Sequence, residues 1–156
     1  MVRQGKQDPR DSRVLQVPAA EPQEAESHFL QRLSVETDPS DVHADLAKGI
    51  TGFTVVDCRP AEKYVKGHVP GAVNLPYHSI TPESATTLSS KETYVVYDDG
   101  LFDNAATKTA LRMAALGLRV KEMMGGLAGW KAEGYVSAIG SSPGKLAAKP
   151  PMASVK

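Results

Sequence analysis

The sequence predicts an α/β protein whose mainly parallel sheet carries helices on both faces. Two observations point there. Short apolar, β-branched runs such as Phe53-Thr54-Val55-Val56 and Thr93-Tyr94-Val95-Val96-Tyr97 have the length and residue types of strands. Between them lie segments with helix start and stop signals, several of them closed by a glycine. Strands that alternate with helices need crossover connections, and crossovers join parallel strands. With 156 residues the chain is long enough for one such domain.

The elements follow in order. A first helix spans about Gln23 to Glu36, with Phe29, Leu30 and Leu33 on one face. Asp38-Pro39 reads as an N-cap followed by proline at the first helical position. Val42 and Leu46 lie four apart on that short helix, and Gly49 ends it. Residues 53–56 are the first visible strand. Pro60 to Lys66 is a short helix closed by Gly67, and Ala72 to Leu75 a second strand. Thr81-Pro82 opens another short helix. Thr93 to Tyr97 is the third strand and has the strongest β character. Asn104 to Leu116 is an Ala-rich helix closed by Gly117. Val120 to Met124 is the fourth strand, and Leu127 to Glu133 a last helix closed by Gly134.

The ends differ from the middle. Residues 1–22 and 139–156 are rich in Pro, Ser, Ala and Gln and lack hydrophobic periodicity, so both are expected to be flexible tails. The second is basic, with Lys145, Lys149 and Lys156 and no acid. The expected division is a tail at 1–22, an added helix at 23–37, a folded domain at 38–138 and a tail at 139–156. Lys plus Arg and Asp plus Glu both number 18, so the formal charge is zero. That balance argues against a nucleic-acid or membrane-surface protein, which would carry a basic excess. One cysteine excludes an intramolecular disulfide and a multi-cysteine zinc site. No apolar run approaches the ~18 residues of a membrane helix. The first residues carry charges with no apolar stretch behind them, unlike a secretory signal. The expected compartment is the cytoplasm.

In a parallel sheet the ligand site lies at the carboxyl ends of the strands. Three segments meet there: Asp57-Cys58-Arg59, the loop Asp98 to Asp103, and Gly125-Gly126. The loop links a buried strand to a helix start near Asn104. Such a loop points backbone N–H groups inward at the positive end of a helix, which makes an anion cradle. It is formed by Asp99, Gly100, Leu101, Phe102 and Asn104 around its first residue, Asp98. A cysteine in that seat would have its pKa lowered.

The stretch Asp57 to Pro76, DCRPAEKYVKGHVPGAVNLP, has Asp-x-Arg at a strand end, an acid three residues on, and Gly-His-Val-Pro-Gly-Ala. A strand, a six-residue loop and a helix follow, and then Gly125, Gly126 and Trp130. In this order and spacing, over residues 39–136, the chain resembles the rhodanese family. The resemblance implies a rhodanese-like α/β fold: a five-stranded, mostly parallel sheet flanked by helices on both faces, with a short first strand that the sequence does not reveal. It also implies sulfane-sulfur transfer through a cysteine persulfide. The donors and acceptors would be thiosulfate, persulfide, cyanide or a thiol, with no cofactor and no metal.

The chain departs from that family at the decisive position. Asp98 stands where family sulfurtransferases have the nucleophilic cysteine, and Asp103 where relatives often carry a second loop cysteine. A carboxylate cannot hold a sulfane sulfur, so the expectation is a catalytically silent domain. Asp98, Asp99 and Asp103 also set three negative charges in six residues. Like charges ~4 Å apart repel by about 1 kcal/mol even in water, and the mouth should disfavour thiosulfate. The N–H cradle is expected to lower the pKa of Asp98 and keep it ionised at neutral pH. One alternative is an active sulfurtransferase whose cysteines have been exchanged for aspartates in this chain. Another is a non-catalytic module that engages a protein partner.

Other readings of the same residues are blander. The acid triplet could attract Mg²⁺, but reads as a solvated loop. An aspartyl-phosphate enzyme would need Asp-x-Asp after the strand, whereas Asp98 and Asp99 are adjacent. Cys58 reads as a small buried hydrophobe. His68 reads as a turn histidine bonded to backbone, because His28, His43 and His78 show no ligand spacing. Arg59 is expected to order a carboxylate such as Asp57. Trp130 and the Gly125-Gly126 pair read as packing and close backbone approach.

Overall fold

The computed structural model describes residues 8–147. Residues 1–7 and 148–156, part of the two expected tails, lie outside the described residues. The chain divides into two units, residues 1–33 and 34–156. In the first, Asp8 caps a short 3-10 turn at Pro9–Asp11, and the helix α1 (Pro22–Val35) begins. Phe29, Leu30 and Leu33, expected on one face of that helix, are exposed.

The second unit holds a five-stranded parallel sheet: β1 (Glu36–Thr37), β2 (Phe53–Asp57), β3 (Val73–Asn74), β4 (Thr93–Tyr97) and β5 (Arg119–Met123). Its order is β1-β5-β4-β2-β3, and every ladder is parallel. The helices are α2 (Pro39–Lys48), α3 (Ala61–Tyr64), α4 (Pro82–Ala85), α5 (Ala105–Ala115) and α6 (Gly126–Ala132). Among the described residues no helix is long and apolar enough to cross a membrane.

Local chemistry explains the elements. Asp38 accepts a hydrogen bond from the backbone N–H of Asp41, Pro39 opens α2, and Gly49 ends it in the left-handed conformation at φ 71°. Thr81 and Ser84 form a reciprocal capping box at the start of α4. The central strands β2 and β4 are buried on both faces, and their alternation sorts the core into two layers. Val55, Val95 and Tyr97 face Val42, Leu127 and Trp130 of α2 and α6. Val56, Cys58, Tyr94 and Val96 face Ala106 and Met113 of α5, together with Ile80 and Leu118. Each valine, leucine, isoleucine or methionine buried in this way contributes about 1.5–3 kcal/mol relative to exposure.

The sequence reading differs from the structure at the edges. Glu36 and Thr37, placed in the added N-terminal segment, form the edge strand β1, in register with Glu122 and Met123. Two residues carry no periodicity, so only their partner strand defines them. β3 shortens to Val73–Asn74, and α3 to one turn closed by Gly67. Residues 139–147, expected in a flexible tail, are hydrogen-bonded to the domain: Gly140 donates to Val65 O at 2.8 Å, and Gly71 to Pro143 O at 2.7 Å.

Candidate functional site

The carboxyl ends of β2 and β4 bring Asp57, Arg59 and Asp99 into one network, with Asp98 beside it on the other face of the sheet. Asp57 is fully buried. Its Oδ1 accepts from Arg59 N and Nε, each at 3.0 Å, and its Oδ2 from Arg59 Nη2 at 2.8 Å. The Tyr97 hydroxyl donates to the same Oδ2 at 2.7 Å and accepts from Val69 N at 3.0 Å. Arg59 Nη2 also donates to the Gly67 carbonyl at 2.7 Å, and Nη1 to Asp99 Oδ1 at 3.2 Å. Arg59 therefore orders one buried carboxylate and reaches the loop with its remaining nitrogen. Burial and the neighbouring Asp57 carboxylate raise the Tyr97 hydroxyl far above its ordinary range.

Asp98 leaves β4 toward the opposite face of the sheet and is 4% exposed. Its Oδ1 accepts from Gly100 N at 3.1 Å and its Oδ2 from Ala106 N, in the first turn of α5, at 2.9 Å. Asp103 Oδ1 accepts from Ala105 N at 3.0 Å. Two of the helix's initial N–H groups and one loop N–H are thus satisfied by the protein's own carboxylates. Of the loop residues expected to form the cradle, Gly100 donates to Asp98. Asp99 offers its side chain to Arg59 and Lys63 instead. Leu101 and Phe102 point out as an apolar knob, 81% and 106% exposed. Asn104 caps α5 through its backbone carbonyl, which accepts from Lys108 N, and not through its side chain.

The loop is held from behind by α6. Leu127 N donates to Asp98 O at 2.9 Å, and Ala128 N to Asp99 O at 3.0 Å. Gly126 allows this approach: a Cβ there would lie 2.5 Å from Asp98 O and 2.7 Å from Gly100 N. Between the knob and α6 lies an open, mainly apolar groove of about 660 Å³, lined by Leu101, Phe102, Ala128 and Ala132 among others.

The electrostatics overturn one expectation. Burial is the largest influence on Asp98 and raises its carboxyl pKa. The N–H bonds from Ala106 and Gly100 pull it down, while Asp103 and Asp99 push it up, and the net direction is upward. Burial also works to raise Asp99, but hydrogen bonds from Lys63 and Arg59 prevail and hold it below its ordinary value. The two carboxylates therefore act on stability with opposite signs. The raised group binds its proton more readily in the folded state, so it weakens folding as pH rises from 3.8 through its folded value. The lowered group strengthens folding above 3.8 and loses that contribution as pH falls through its own folded value. A carboxyl ¹³C titration is expected to place Asp98 above 3.8 and Asp99 below it; the reverse order would refute both assignments.

Cys58 lies beneath Asp98 in the α5-facing core and is buried. Burial above all pushes its thiol up to about 12, with smaller contributions in the same direction from the charges of Asp98, Asp57 and Asp103. The nearby Thr109 hydroxyl is the main opposing influence, although its oxygen makes no hydrogen bond of normal distance and angle. Sequence reasoning missed Lys63, Tyr97 and Glu122. Lys63 sits one helical step beyond Glu62, and nothing local ties it to Asp99. Glu122 on β5 is partly buried, accepts from the Thr107 hydroxyl at 3.0 Å, and is raised by burial and by Asp98 and Glu36. Among the described residues no group of three His, Cys, Asp or Glu side chains is arranged to hold a metal ion.

Comparison with known proteins gives this arrangement its family. Residues 38–133 match the Rhodanese-like domain. The BH2092 protein of Bacillus halodurans has a solved structure that superposes with TM-score 0.74 at 39% identity, over 78% of this chain and 88% of that one. The 3-mercaptopyruvate sulfotransferase SseA of Escherichia coli shares the fold at TM-score 0.58 and 20% identity, over 74% of this chain and 57% of its own. Among curated proteins, the HTH-type transcriptional regulator Rv0324 of Mycobacterium tuberculosis (strain ATCC 25618 / H37Rv) is 32% identical over 81 residues, 52% of this chain. The chain spans about a third of that regulator's length, 35%. With the parallel five-stranded sheet and the matched 38–133 segment in agreement, this chain belongs to the family of rhodanese-like domains.

Proposed function

We propose that this chain is a rhodanese-family domain that has exchanged sulfane-sulfur transfer for binding. The observation that carries the reading is the Asp98 carboxylate. It occupies the position that the family resemblance assigns to the nucleophile, and it takes up the N–H groups of Gly100 and Ala106. A carboxylate offers no sulfur for a persulfide, and it fills the donors an incoming anion would use. Cys58 does not replace it: a buried thiol pushed up to about 12 has almost no thiolate at neutral pH. The similarity to part of a transcriptional regulator fits a regulatory setting for such a domain. A cytoplasmic setting fits the free thiol of Cys58.

The expected result is no thiosulfate:cyanide turnover above background, and no persulfide by mass spectrometry after thiosulfate treatment. Turnover within about tenfold of an ordinary rhodanese, some 1.4 kcal/mol in barrier, would sink the reading.

A second reading, an active sulfurtransferase with altered cysteines, draws on one feature: the two N–H groups still converge on residue 98. Asp98→Cys should then place a thiol where donors at the start of α5 lower its pKa. We expect a detectable persulfide and slow turnover, because Asp99 and Asp103 remain, with faster turnover on adding Asp103→Cys or Asp103→Arg. A folded Asp98→Cys protein whose thiol titrates like free cysteine and takes up no sulfur would exclude this second reading and leave the binding module.

A further inference from the structure

Residues 138–147 form a strap across the turn that follows α3. His68 and Ala138 exchange backbone hydrogen bonds in an antiparallel bridge, at 2.9 and 2.8 Å. Gly71 and Gly140 donate to Pro143 O and Val65 O, and Leu146 is buried. One side chain ties the strap to the helix. The His68 ring is fully buried and stacked on Tyr64, with centroids 3.7 Å apart. Its Nδ1 lies 2.9 Å from the Tyr64 carbonyl oxygen, and its Nε2 3.0 Å from that of Pro143.

Both partners are acceptors. A neutral imidazole has one N–H, so it donates to one carbonyl and aims a lone pair at the other. Only the imidazolium donates to both. We propose that His68 is a proton-operated clamp: protonated, it ties the 138–147 strap to α3 through Pro143 and Tyr64, and deprotonation turns one of those two contacts into a ring lone pair facing a carbonyl oxygen, leaving the backbone bonds from Gly71 N to Pro143 O and from Gly67 N to Tyr64 O without that support. The strapped form holds one proton more than the released form, so rising pH favours release.

The charged and titratable neighbours are few. Tyr64 stacks on the ring. Arg59 binds the carbonyl of the adjacent Gly67, but is matched by Asp57 and Asp99, which limits its repulsion of a second cation. The Tyr97 hydroxyl holds Val69 N. Lys66 lies on the turn, and Lys145 is the one titratable side chain of the strap. The clamp also reaches the site, because the Gly67 carbonyl holds Arg59, and Arg59 holds Asp99 in the β4–α5 loop.

The test uses the full chain between about pH 5.5 and 8, the range in which histidine titrates. Long-range ¹H–¹⁵N spectra of the imidazole are expected to show protons on both ring nitrogens at the acid end and on one at the basic end. Over the same interval the exchange protection of the Gly71, Ala138 and Gly140 amides, corrected for intrinsic rates, is expected to fall at least about tenfold, while that of β4 stays level. His68→Gln, which has no proton to lose, should show no such pH dependence. A wild-type ring with a single proton at every pH overturns the proposal. So does strap protection that stays constant across the range. Both readings come from the wild-type protein, so a His68→Gln variant that fails to fold does not rescue it.

Discussion

Asp57→Ala is expected to lower the stability of this domain by about 3–5 kcal/mol, the cost of removing one partner from a buried ion pair. That is a large share of the roughly 5–15 kcal/mol that separates a folded domain from its unfolded chain. The cause is specific. Asp57 takes hydrogen bonds from three nitrogens of Arg59 and from the Tyr97 hydroxyl. Without it a guanidinium that is 6% exposed keeps only the Gly67 carbonyl and the rim contact with Asp99. Tyr97, fully buried at the centre of the sheet, loses its acceptor. Asp57→Asn keeps the shape and one acceptor oxygen, so it is expected to cost less. Denaturant titration of the two variants measures the difference. A loss below about 1 kcal/mol for Asp57→Ala, the range of a solvent-screened surface pair, would show that the network is not structural.

Gly126→Ala is expected to cost about 3 kcal/mol or more, the sum of left-handed backbone strain and overpacking. The residue has φ 56°, and the added Cβ would lie 2.5 Å from Asp98 O, 2.7 Å from Gly100 N and 3.0 Å from the Asp98 carbonyl carbon. These are backbone atoms, which cannot rotate aside as a side-chain tip would. The loop must retreat from α6, giving up the bonds from Leu127 N and Ala128 N. Gly134→Ala is the control. It has φ 79° with nothing within 4 Å of the new Cβ, so strain alone should cost about 1–2 kcal/mol. Equal losses at the two glycines would mean that the close approach at Gly126 does not matter. Amide spectra should also differ: Gly126→Ala moves the signals of residues 98–100, whereas Gly134→Ala leaves them in place.

Much of this protein is readable along the chain. Asp38-Pro39, Gly49, Gly117 and Gly134 mark helix ends, because capping is local chemistry between residues a few positions apart. The runs at 53–56 and 93–97 read as strands, because a strand buried on both faces is mainly apolar and β-branched or aromatic. The loop of the candidate site is equally plain: strand, six residues, helix, with Asp98 first. Other features exist only in three dimensions. β1 is a strand because β5 lies beside Glu36 and Thr37, and two residues have no pattern of their own. Lys63 meets Asp99 from 36 positions away, and His68 meets Pro143 from 75. The direction of the Asp98 shift was beyond the sequence for the same reason. The N–H groups that lower a carboxyl are visible in a loop and helix start, but the burial that outweighs them depends on how β4, α5 and α6 close around it. Local chemistry is written in neighbouring residues; desolvation and long-range pairing are set only when distant segments pack.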